Sequence, residues 1–167
     1  MIDTWVSYEI HPETPPEGVL LEHLFGPGIS QRQEGMRRRC AELDLPFEPP
    51  RLLSNSRLAI EASEFARDAG KHPEFHRAVL AAYFARSEDI GDLDVLSELA
   101  AQVGLDPVAM RQELAAGRYA ARREAVHDEA YGRGITGVPT FFFDHRPRVV
   151  GAQPLDDFRR LLEGFPR

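Results

Sequence analysis

The spacing of apolar residues changes period twice along the chain. Residues Thr4 to Ile10 alternate, with Trp5, Val6, Tyr8 and Ile10 apolar, and a period near two predicts a strand. Pro12, Pro15, Pro16 and Gly18 then impose an extended loop, because proline fixes its own backbone and donates no hydrogen bond. From there to Arg133 the period is helical almost without interruption. Gln33 to Leu43 places Met36, Cys40 and Leu43 on one stripe, closed by Pro46, Pro49 and Pro50. Asn55 or Ser56 can cap a second helix, with Leu58, Ala62, Phe65 and Ala66 inward and Gly70 as its stop. Pro73 suits the first turn of a third, which should bury Phe75, Val79, Leu80, Tyr83 and Phe84. Asp92 opens a fourth, with Leu93, Leu96, Leu99 and Val103 apolar and Gly104 at its end. Asp106-Pro107 starts a fifth, with Met110 and Leu114 at helical spacing, and Arg118 to Arg133 completes the block.

The pattern then reverts. Gly134-Ile135-Thr136-Gly137-Val138-Pro139 is a glycine-punctuated connection, and Thr140-Phe141-Phe142-Phe143 a short apolar run. Asp144 to Pro147 reads as a turn, Arg148 to Gly151 as a returning strand, and Pro154 to Leu162 as a terminal helix. Two short strands about one turn predict a β-hairpin. The order is strand, long helical block, hairpin, helix, without internal repeats.

Composition narrows the function. A net charge of −7 opposes general nucleic-acid binding, which needs a basic footprint; Arg37-Arg38-Arg39 is too short to reverse that. No apolar run approaches the roughly 20 residues of a membrane span. The N-terminus has neither a basic nor an apolar leader pattern. A single cysteine, Cys40, excludes dithiol–disulfide chemistry by these residues alone, and with no cysteine pair a reducing cytoplasm is the expected compartment.

Few residues invite chemistry. The neighbouring arginines could favour a Cys40 thiolate, but its alignment with Met36 and Leu43 reads as packing of a small apolar side chain. His72 and His76 have a metal-compatible spacing, yet Pro73 lies between them and no third ligand follows, so a solvated helix start is expected and no metal or other cofactor. Asn55 is a helix cap on residue type alone. No Ser-His-Asp order, phosphate loop or carboxylate pair stands out.

Gly134 to Phe141, followed by Val150-Gly151-Ala152-Gln153-Pro154, resembles the DsbA-like branch of the thioredoxin superfamily. The similarity is greatest to FrnE-type oxidoreductases, neighbours of the 2-hydroxychromene-2-carboxylate isomerases and kappa-class glutathione transferases. Glu9-Ile10-His11-Pro12, Pro15 to Gly18, Asn55 to Ala59, Ala82-Tyr83-Phe84, Asp89-Ile90 and Leu96 to Ala100 carry the resemblance through the chain. It implies an α/β protein: an incomplete thioredoxin-like fold with a large all-helical insertion. Residues 1-18 and 134-167 would form the thioredoxin-like part, and residues 19-133 the helical part.

The resemblance also implies that the first βα unit, with its Cys-x-x-Cys, has no counterpart here. The Trp5 stretch corresponds to the family's second strand. The sheet should then be repaired, either by the Trp5 strand moving into the vacant position or by a second copy in a homo-oligomer. In the family the bond before Pro139 is cis, and the residue before it pairs with an extended peptide or glutathione. Val138, Pro139 and Thr140 are therefore the expected binding residues, with Asn55 near the cleft. Three activities follow as expectations: a thiol–disulfide oxidoreductase made redox-inactive by its missing cysteines, a non-catalytic peptide- or glutathione-binding module, or a glutathione-dependent isomerase or transferase.

Overall fold

A computed structural model describes residues 4–143 and 148–163. After the proline loop, β1 (Val19–Leu20) leads into α1 (Leu21–Phe25), a 3-10 turn, and α2 (Ile29–Glu42). β2 (Leu52–Leu53) returns antiparallel to β1, Val19 opposite Leu53. The core helices are α3 (Arg57–Asp68), α4 (His72–Arg86), α5 (Leu93–Gln102), α6 (Pro107–Ala115) and α7 (Ala120–Gly132). β3 (Thr140–Phe141), β4 (Val149–Val150) and α8 (Leu155–Leu162) complete the order.

The core lies among α3 to α7. Phe75, Leu96, Leu99 and Met110 are its largest fully buried side chains. Ala62 and Ala66 on α3 and Ala82 on α4 are also fully buried; their small size lets these helices approach closely enough to enclose the larger groups. Asp92 and Asp106 cap α5 and α6 as their sequence positions predict: Asp92 accepts from the Asp94 N–H, and Asp106 from Val108 and Ala109. Those bonds satisfy donors that a helix start leaves free. Tyr83 donates its hydroxyl to the Leu52 carbonyl at 2.8 Å, fastening α4 to β2. Burial, with Asp89 nearby, pushes that phenol up to about 12.

Several expectations need correction. Thr4 to Ile10 forms no strand: the segment has no ladder partner among the described residues. An alternating sequence becomes a strand only when a neighbour accepts its backbone groups, so this segment has not moved beside β3, whose described partner is β4 alone. The β1–β2 pair interrupts a stretch expected to be wholly helical, because isolated Leu-Leu and Val-Leu pairs carry no readable period. Leu80 and Phe84 point outward; α4 has one face on the core, and these two lie off it. The Met36–Cys40–Leu43 stripe does not enter a core either. α2 buries no residue, and Cys40 is only half-buried. The turn expected at Asp144–Pro147 lies outside the described residues.

Candidate functional site

The Val138–Pro139 bond is cis. It precedes β3, whose Thr140 pairs with Val150 and Phe141 with Val149. The loop is tied by its own polar groups. Thr140 donates its hydroxyl to the Gly137 carbonyl at 2.7 Å, and the Gly151 N–H donates to the Pro139 carbonyl at 2.7 Å. Phe141 meets Phe158 of α8 edge to face at 4.8 Å, a favoured aromatic arrangement. Val138 stays 51% exposed, and among the described residues nothing bonds its backbone N–H or carbonyl. The geometry is an anchored hairpin start at an exposed residue whose N–H and carbonyl have no partner among the described residues. Such a residue can pair with an extended chain.

Asn55 is built differently. It is buried, and its amide donates to the Thr14 carbonyl at 2.7 Å while its side-chain oxygen accepts the Arg57 N–H at 3.1 Å. Ser56 occupies the N-cap position of α3 but its side chain makes no capping bond; Asn55, one residue earlier, supplies the bond instead. Gly91 approaches so closely that a Cβ there would lie 2.9 Å from the Asn55 carbonyl oxygen. The partners of Asn55 are thus Thr14, Arg57 and Gly91, and none is in the 137–140 loop. An Asn55→Ala variant should lose about 1–2 kcal/mol, from a cap and a buried carbonyl left without its donor. Urea unfolding checks this, and a loss below about 0.3 kcal/mol would show that water replaces both bonds.

The N-terminal segment and proline loop are gripped by α3. Arg57 donates to the Pro12 carbonyl, and Arg67 donates to the Trp5 carbonyl at 2.8 Å. Glu9 is 5% exposed and ion-paired on both oxygens, to Arg57 Nε at 3.3 Å and Arg123 Nη1 at 3.8 Å. The first contact lacks hydrogen-bond alignment. Arg123 also reaches Glu61 at 3.0 Å, while Arg122 takes Asp68 with two nitrogens and holds that carboxyl below its usual range. These contacts tie α7 to α3.

His72 and His76 are not a solvated helix start. His72 is buried and His76 half-buried, and the rings stack at 5.7 Å with Trp5 5.1 Å beyond His76. Among the described residues no group of three metal-ligating side chains forms. Sequence reasoning missed Glu9, Arg57, Arg67 and Arg123. A signal existed: Glu61 and Glu64 lie among the inward alanines of α3, and charges there require partners.

A cis-proline hairpin set after a helical block places this chain in the thioredoxin superfamily. More closely, it belongs to the DSBA-like thioredoxin domain family, whose sequence profile matches residues 4–163. It is similar to YwbO, an uncharacterized protein of Bacillus subtilis strain 168, at 27% identity over 95% of this chain and 79% of YwbO. A probable DsbA oxidoreductase of Streptomyces coelicolor superposes with a TM-score of 0.84 at 28% identity, covering 97% of this chain and 76% of that one. A candidate protein disulfide isomerase of Nitrosomonas europaea shares the fold, with a TM-score of 0.66 at 17% identity over 90% of this chain and 76% of the other. No described helix is long and apolar enough to cross a membrane.

Proposed function

We propose that these residues form the ligand-holding side of a DsbA-like protein. An extended polypeptide, or a thiol peptide such as glutathione, would pair with the free backbone of Val138, flanked by Pro139 and Thr140. Asn55 acts indirectly, by setting the proline loop on α3. The carrying observation is the exposed, unbonded Val138 peptide at the head of an anchored hairpin. Within the family we place the chain with the FrnE-type oxidoreductases, in a reducing cytoplasm, and divide it as residues 1-18 with 134-167 against residues 19-133. Thiol exchange needs an attacking thiolate, and dithiol turnover a resolving partner. Cys40 is the single thiol present, so this chain should bind without turning over disulfides. The isomerase or transferase reading ranks below this one, since it needs a reactive residue that no motif here supplies.

Two measurements test the reading. Calorimetry with reduced unfolded peptides and with glutathione should register binding, and Val138→Pro, which removes the N–H, should weaken it about tenfold. Silence toward both ligand types would defeat the proposal. Insulin reduction should not exceed the uncatalysed rate, and turnover that persists in Cys40→Ala would show that the chemistry has been misread.

A second copy is the further partner we propose. Trp5, Val6 and Ile10 on the N-terminal segment, and Phe142 and Val150 on the hairpin, are exposed apolar residues; among the described residues the N-terminal segment has no ladder partner, and β3 and β4 pair only with each other. Unpaired edges of this kind invite pairing between chains. Light scattering should report a dimer or larger assembly, and a monomer at micromolar concentration would remove this part.

A further inference from the structure

We infer that an acid-sensitive latch made of Arg67, His72 and His76 holds the Trp5 segment on the helical subdomain. Its centre is the Arg67 guanidinium. One nitrogen, Nη2, donates to the Trp5 carbonyl at 2.8 Å and lies 2.9 Å from His72 Nε2. Arginine only donates, so His72 Nε2 must accept, and the neutral ring carries its proton on Nδ1. His76 stacks on His72 and touches Trp5, with a buried Nε2 that has no hydrogen-bond partner among the described residues. A proton added at His72 Nε2 turns that contact into donor against donor, beside a fixed positive charge. A proton on His76 adds a second cation at stacking distance. Arg67 can relieve both only by swinging away, and the Trp5 carbonyl then loses its donor.

The surrounding charges set the balance. α3 presents Glu64, bonded to Arg67 Nε at 3.1 Å; α4 presents Arg77; and α7 presents Arg122, which shares Glu64 from the far side. The described N-terminal segment places only uncharged Trp5 against the pair. Burial, then Arg67, hold both histidines below their ordinary value, with His76 and Arg77 adding to this and Glu64 opposing it at His72. A histidine depressed in the folded state stabilises it fully above its unfolded value, about 6.5, and the contribution is lost as pH falls below that.

Trp5 is the single tryptophan of the chain and reports its own release. In the full 167-residue chain, Trp5 fluorescence anisotropy should fall between about pH 6.5 and pH 5 toward the value of a mobile terminus. Helical circular dichroism should stay constant over that range. Simple quenching by a protonated His76 would shorten the lifetime and raise anisotropy, the opposite sign. His72→Gln, whose amide oxygen still accepts from Arg67, should reduce the fall to the part that His76 drives, and Arg67→Met should give low anisotropy already at about pH 8. A flat or rising wild-type profile, a fall unchanged in His72→Gln, a high value in Arg67→Met, or simultaneous loss of helix would each overturn the latch.

Discussion

A Phe75→Ala variant should lose about 4 kcal/mol of stability, which for a chain of this size lowers the melting temperature by roughly 8–16 °C. Phe75 is fully buried, and its cluster includes Ala62, Ala66 and Ala82, each also fully buried. Alanines on hydrogen-bonded helices cannot lean into a void as longer side chains can. The cavity should therefore remain open, and the cost should sit in the upper part of the range for such truncations. The matched control is Phe158→Ala. Phe158 packs on Phe141, but α8 buries no residue, so this change should leave helical melting within about 1 kcal/mol of the parent. Thermal circular dichroism of the two variants gives the comparison. Equal losses would mean that the hairpin and the helical block melt as one cooperative unit.

The second large effect is electrostatic. Arg123→Met should cost about 3 kcal/mol, since it strands Glu9 and Glu61 with a partner removed. Their side chains are only 5% and 10% exposed, so water cannot readily replace the guanidinium. Methionine keeps much of the apolar stem and isolates the charge from the packing. Adding Glu9→Gln should restore part of the loss, because one stranded charge is then gone. A double-mutant cycle by urea unfolding measures this coupling, expected at about 1–2 kcal/mol. Strict additivity of the two changes would show that Glu9 relies on Arg57 alone.

The helical block is largely legible in the sequence because capping and spacing act locally. Asp92, Asp106 and Gly104 mark ends that any helix there must use, and Met110 and Leu114 fall inward at helical spacing. What the sequence hid depends on neighbours remote in the chain. Thr4 to Ile10 alternates like a strand, yet alternation states only which side chains could share a face, not whether another backbone lies alongside. Here Arg67 reaches the Trp5 carbonyl across 62 positions, and no periodicity announces that. Residue type and Pro73 predict an open, solvated helix start at His72 and His76; the Trp5 ring that covers His76 is 71 positions away in the chain. The Val138–Pro139–Thr140 loop was legible through resemblance, because glycine and proline punctuation is a property of the chain itself. Its free Val138 peptide became visible only once the hydrogen bonds of Gly137, Pro139 and Gly151 were accounted for.

The grip of α3 has a geometric consequence. Arg57 and Arg67 stand ten residues apart, so one rigid helix sets their spacing at about 15 Å, while the seven residues between the Trp5 and Pro12 carbonyls they hold could stretch to roughly 25 Å. The helix is a ruler shorter than the ribbon fastened along it. Glu9, held by Arg57 and Arg123, divides that ribbon, so a residue gained or lost between Trp5 and Tyr8 can be absorbed as a change in bow, whereas one gained or lost between Glu9 and Pro12 would pull the carboxylate off its partners.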